Sequence, residues 1–110
     1  MTMLYTHSPM YMVVFESWRD DTHDERYAEY AQKMLALASE MPGFVAFEHF
    51  TSSDDQGKAL SLSVWESEEA IKAWRDHAEH RVAQALGQTD FYRAYRLRVA
   101  KIERDYGYER

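Results

Sequence analysis

With 110 residues, 45% hydrophobic and 29% charged, the chain has room for one domain with a two-layer core, and its composition is that of a folded globular protein. A net charge of −6, with no basic cluster beyond the stretch Arg93 to Lys101, excludes nucleic acid as a partner, and the absence of cysteine excludes disulfides, thiolate nucleophiles and cysteine-ligated metal centres. No apolar run reaches the roughly 18 to 20 residues of a membrane span, and Met1 to Pro9 has neither the basic start nor the apolar segment of a secretory leader, so no membrane association and a cytoplasmic location are expected.

Met10 to Ser17 is β-rich and apolar on both alternating faces, which predicts a first strand buried on both sides. Thr22-His23-Asp24-Glu25 has the pattern of a capping box, and Tyr27, Tyr30, Ala31, Met34, Leu37, Ala38 and Met41 recur at three- and four-residue steps as one helical stripe. Pro42-Gly43 stops that helix. Phe44 to Thr51 and Ala59 to Trp65 form a hairpin across the polar turn Ser52 to Lys58. Ser67 is the expected N-cap of a second helix, with Glu68 and Glu69 at its positive end, and with Ile71, Trp74, Ala78, Val82, Ala85 and Leu86 on one face before Gly87. A break near Asp76 or His77 is compatible with the pattern. Phe91 to Arg104 is the fourth strand, and Asp105 to Arg110 is expected to be an exposed polar tail.

The order β-α-β-β-α-β predicts an α+β, ferredoxin-like fold over residues 10–104 of a single domain spanning 1–110, with 1–9 and 105–110 as terminal extensions. Its four-stranded antiparallel sheet has two helices on one face. The first two strands carry apolar side chains on both faces, so the face without helices needs another cover, and a second copy of the chain supplies it economically. A homodimer is therefore expected.

Leu60, Leu62 and Val64 point to one side of their strand, while Ser61, Ser63 and Trp65 point to the other. Two hydroxyls and an indole suit a cavity wall. Glu48 and His49 are adjacent and must face opposite ways; either is a candidate base for a phenolic proton, and a salt-bridged structural pair is the alternative. Arg96 and Arg98 share a face, able to pair with Glu16 or Glu48 or to hold an anion. His77 and His80 have helical spacing, for which a solvated surface is the simpler reading than a metal site. There is no phosphate loop or dinucleotide fingerprint, so no cofactor is expected.

The passage Val64-Trp65-Glu66-Ser67-Glu68-Glu69-Ala70, with Trp74 nine residues after Trp65, and the ending Tyr92-x-x-Tyr95-Arg96-Leu97-Arg98-Val99 resemble the antibiotic biosynthesis monooxygenase (ABM) domain family. The resemblance implies a dimeric α+β barrel. Where members of that family oxidise phenols without a cofactor, an Asn stands four residues before the strand-ending Trp and, in some, a Tyr six residues after it; here Ser61 and Ile71 occupy those places. In haem-degrading members a His follows the helix Trp by ten residues, where this chain has Gln84, and the matching part of the first strand reads Phe15-Glu16-Ser17, which argues against haem.

The resemblance implies a cofactor-independent monooxygenase acting on a small electron-rich aromatic substrate, a phenol, quinol or anthrone, with molecular oxygen. Trp65 is expected as the pocket wall, Ser61 and Ser63 as groups orienting substrate oxygens, Glu48 or His49 as the base, and Arg98 as the anion stabiliser. A non-catalytic dimeric binding domain, or isomerase or decarboxylase chemistry on the same barrel, are the other readings.

Overall fold

The computed structural model describes residues 2–5, 9–22, 25–86 and 91–110. Along the chain lie β1 (Thr2–Tyr5), β2 (Met10–Trp18), α1 (Arg26–Ser39), β3 (Phe44–Thr51), β4 (Lys58–Trp65), α2 (Glu68–Leu86), β5 (Ala94–Ile102) and β6 (Tyr106–Glu109). The four longer strands form an antiparallel sheet in the order β3-β4-β2-β5, and the segment from β2 to β5 has the expected ferredoxin-like α+β order.

Both helices pack on the face of the sheet that carries Val13 and Trp65, because Ala38 of α1 and Ala70 of α2 meet those residues in one buried cluster with Met41, Phe44, Ile71 and Trp74 around it. Small residues at the contact let each helix approach the sheet closely. Tyr27, Tyr30, Ala31, Met34, Leu37 and Ala38 are the covered or partly covered positions of α1, the stripe that the periodicity marks. The opposite face holds Met12, Val14, Leu60, Leu62 and Val64 by register, all only partly covered, and Phe50 is exposed there.

The joint between α1 and β3 fixes the geometry. Gly43 has φ +85°, the left-handed region that favours glycine, and a Cβ there would lie 2.7 Å from the Ala70 Cβ. Its carbonyl accepts a hydrogen bond from the Glu66 N–H at 2.8 Å, tying the end of α1 to the β4–α2 passage. Ser67 caps α2 as expected, its Oγ accepting from the Ala70 N–H at 3.1 Å. The helix then runs unbroken past Asp76 and His77.

Three local expectations are corrected. Helix α1 begins at Arg26 with Glu25 in the N-cap position and no side-chain cap bond, so Thr22 and Glu25 do not form the capping box. The fourth strand is shorter than 91–104, with its ladder running from Ala94 to Ile102. The polar tail is in part a strand: β6 pairs antiparallel with β1, Thr2 opposite Glu109 and Tyr5 opposite Tyr106. Tyr106 and Tyr108 supply the β propensity there, two residues apart on one side of a short ribbon.

Candidate functional site

The β3–β4 hairpin closes with Thr51 opposite Ala59, which places His49 directly opposite Ser61 and Phe47 opposite Ser63. Ser61 in turn faces Phe15 on β2, and Ser63 faces Val13. Directly paired residues share a face, so His49, Ser61, Ser63, Trp65 and Phe15 all lie on the helix-covered side. The His49 Nδ1 and Ser61 Oγ are 2.9 Å apart, a hydrogen bond whose direction follows the imidazole tautomer.

His49 is exposed on the edge strand, yet desolvation by its neighbours lowers its pKa below the ordinary value of 6.5, and the positive charge of Arg19 lowers it further. The imidazole is therefore uncharged at neutral pH and able to accept a proton. Glu48 is exposed on the opposite face, opposite Leu62. Arg98 lies on that same face, where its guanidinium donates to the Glu16 carboxylate; Lys58 Nζ is 3.6 Å from the other Glu16 oxygen. These contacts, with the Arg98 hydrogen bond foremost, hold the Glu16 carboxyl below 4.5. The structure thus brings His49, Ser61, Ser63 and Trp65 together and leaves Glu48 and Arg98 across the sheet from them.

Trp65 is wholly enclosed, with 0% of its surface exposed. Its indole stacks on Trp74 at 6.1 Å between ring centroids and meets the Phe44 ring edge-on at 5.6 Å. Its Nε1 is buried and has no hydrogen-bond partner among the described residues. Ser63 is also buried, whereas Ser61 is partly open. A shallow depression of about 250 Å³, lined by Phe50, Thr51, Ser52, Lys58, Ala59 and Leu60, lies at the far end of β4 from Trp65.

Residues that the sequence does not mark as part of a site complete this face. Phe15 meets Tyr92 and Tyr95, each at 5.5 Å, and Tyr92 meets Tyr27 edge-on at 6.1 Å. Arg19 lays its guanidinium over the Tyr27 ring at 3.6 Å from the centroid. A chain of rings therefore runs from the His49–Ser61 pair to Arg19. The hairpin register alone, counted back from Thr51 and Ala59, would have found the His49–Ser61 pair; Arg19, just past a strand end, leaves no periodic signal. No grouping of three metal-ligating side chains occurs among the described residues. His77 sits 6.1 Å from the Trp74 ring, and the side chains of His80 and Gln84 lie outside the described residues. No helix among those described is long and apolar enough to cross a membrane.

Comparison with known proteins gives a consistent picture. Residues 10–86 match the family model for antibiotic biosynthesis monooxygenase. The chain is 38% identical over 96 residues to the uncharacterized protein YqjZ of Bacillus subtilis, covering 87% of this chain and 82% of that one. It is 29% identical over 93 residues to a jasmonate monooxygenase of Pyricularia oryzae, covering 84% of this chain but 43% of the fungal protein. Among solved structures, the cofactor-independent oxygenase SnoaB from Streptomyces nogalater superposes with a TM-score of 0.68 at 13% identity, over 88% of this chain and 95% of that one. The extent of the family match, the level of identity to YqjZ and the shared fold place this chain in the antibiotic biosynthesis monooxygenase family.

Proposed function

We propose that the protein is a homodimeric, cofactor-independent monooxygenase that oxidises a small electron-rich aromatic, a phenol, quinol or anthrone, with O₂. The observation that carries this reading is the His49–Ser61 pair, 2.9 Å apart, beside the Phe15, Tyr92 and Tyr95 rings. It is an uncharged base next to an aromatic surface. The names of the fungal relative and of SnoaB support oxygen chemistry on this fold.

In the reaction, His49 Nδ1–H donates to Ser61 Oγ, leaving Nε2 to take a proton from the substrate. The resulting anion gives one electron to O₂, the two radicals combine as a hydroperoxide, and loss of water leaves a new carbonyl. One oxygen atom enters the product, the other leaves as water, and the substrate carbon supplies the electrons. The protein contributes proton removal, orientation by Ser61 and an apolar wall that Phe15 helps to form. Glu48 and Arg98 belong to the other face, which the second copy covers.

The test is oxygen uptake against a panel of phenols, quinols and anthrones, with mass spectrometry for products that gain one oxygen and lose two hydrogens. His49→Gln should lower turnover by about 10²- to 10⁴-fold. No uptake with any substrate, or unchanged turnover in His49→Gln, would overturn the reading. The complete enclosure of Trp65 favours a second reading, a non-catalytic dimeric domain; it predicts ligand binding without uptake.

A further inference from the structure

Among the described residues, Arg19 has no counter-ion. Its Nε is buried with no hydrogen-bond partner, and no carboxylate pairs with its guanidinium among the described residues. The adjacent Asp20 is taken by Arg93, Nε to Oδ1 at 2.9 Å. Leaving a partly buried charge and a covered N–H uncompensated is costly, so such a group marks either a defect or a missing partner.

The surroundings do not supply that partner. Tyr27 offers its ring face, and Tyr92 lies against Tyr27. Burial, with Tyr27 and Tyr30 close by, pushes the Tyr92 phenol far above its ordinary value, and burial raises that of Tyr30 as well. Neither becomes a tyrosinate at any working pH. His49 is a further titratable neighbour, and the Arg19 charge helps hold its pKa below 6.5. Among the described residues, the groups that meet the Arg19 guanidinium therefore carry no negative charge.

The fold also holds Arg19 in place. Its backbone N–H donates to the Gly57 carbonyl at 2.8 Å, and a Cβ at Gly57 would lie 2.4 Å from the Arg19 carbonyl oxygen, so the hairpin turn clamps the residue. The turn is itself fixed by Asp55, whose Oδ1 accepts from the Gly57 N–H at 2.9 Å. Stacking on Tyr27 orients the guanidinium plane. The residue as a whole keeps some solvent access although Nε has none, so an arriving group meets the rest of the side chain. A cation anchored at backbone and ring is preorganised to receive an anion.

We infer that Arg19, stacked on Tyr27 beside Tyr92, is an anion subsite, and that the aromatic substrate carries a carboxylate that docks there while its ring lies toward Phe15 and His49. This deepens the oxygenase reading by naming the substrate class, an aromatic acid. A carboxylate is the partner for which the guanidinium fork is built. Arg19 acts in binding and does not touch the reacting atoms.

The experiment is calorimetric titration with benzoate and its neutral analogue benzamide, on the full chain and on Arg19→Gln and Arg19→Lys. The unaltered protein should bind benzoate about tenfold or more tightly than benzamide, as expected for a hydrogen bond between ionised groups. Arg19→Gln should abolish the preference, and Arg19→Lys should keep part of it. The ratio of two ligands on one preparation is insensitive to any loss of folded protein. Equal affinities in the unaltered protein, no binding of either probe, or a preference retained in Arg19→Gln would overturn the inference. Since no step requires O₂, a charge-selective site without oxygen uptake removes the oxygenase and leaves the subsite standing.

Discussion

Replacing Trp65 tests both the packing and the unpaired indole N–H. The side chain is fully enclosed, stacked on Trp74 and bounded by Val13, Ala38 and Ala70, so Trp65→Ala leaves a cavity that small neighbours cannot fill. Truncations of this kind cost about 3–5 kcal/mol, a large share of the roughly 5–15 kcal/mol that holds a domain together. For a domain of this size the melting temperature should fall on the order of 15–25 °C. Trp65→Phe should behave differently. It keeps a ring in the same space and removes a buried donor whose lack of a partner itself costs about 1–3 kcal/mol, so lost contact area and lost penalty largely offset each other. A net change within about 1.5 kcal/mol is expected for Phe, less than half the change for Ala. Urea unfolding followed by far-ultraviolet circular dichroism at one protein concentration gives both values, with an unchanged m as the control. If Phe proves as damaging as Ala, Nε1 makes a bond that this geometry does not contain, and the orphan-donor argument fails.

Gly43→Ala combines a left-handed backbone with a 2.7 Å approach to Ala70; a loss of about 2–4 kcal/mol is expected, and adding Ala70→Gly should recover only the part due to the clash, measured by a double-mutant cycle in urea. Desolvation and the Arg19 charge lower the His49 pKa below 6.5, so the unfolded chain takes up the proton first; stability is complete above about 6.5 and declines as pH falls through the lower native value. His49→Gln should flatten that limb in urea titrations below about pH 6.5, and the acid limb of kcat/KM should lie below 6.5 and move upward in Arg19→Gln. Leu62→Lys places a charge at the centre of the helix-free face, between Val14 and Glu48 in the register; if a second copy covers that face, light scattering should show a dimer becoming a monomer, and an unchanged mass would refute the arrangement.

Much of this fold was legible because its elements announce themselves locally. The stripe from Tyr27 to Ala38, the stop at Pro42-Gly43 and the cap at Ser67 each depend on neighbours within a few residues. What the sequence hid depends on distance. The β1–β6 ribbon joins residues a hundred positions apart and alternates over only four residues per strand, too few for a periodic signal. Thr22 and Glu25 have the right spacing for a capping box, but the helix starts one position beyond the second of them. The site divides in the same way. Adjacency alone puts Glu48 and His49 on opposite sides of the strand, and the register decides that His49 is the one on the face of Ser61 and Trp65. Arg19 was invisible because its meaning lies in what it lacks, and an absent partner can be seen only once all neighbours are in place.

The Trp65–Trp74 stack has one more consequence. Two indoles 6.1 Å apart and inclined by 24° share their electronic transitions, so the pair should give a coupled circular dichroism band distinct from that of Trp18, which lies across the sheet. Anything that enters beside Trp65 has to part or tilt these rings. The chain therefore carries its own optical gauge of occupancy, readable in solution without label or turnover.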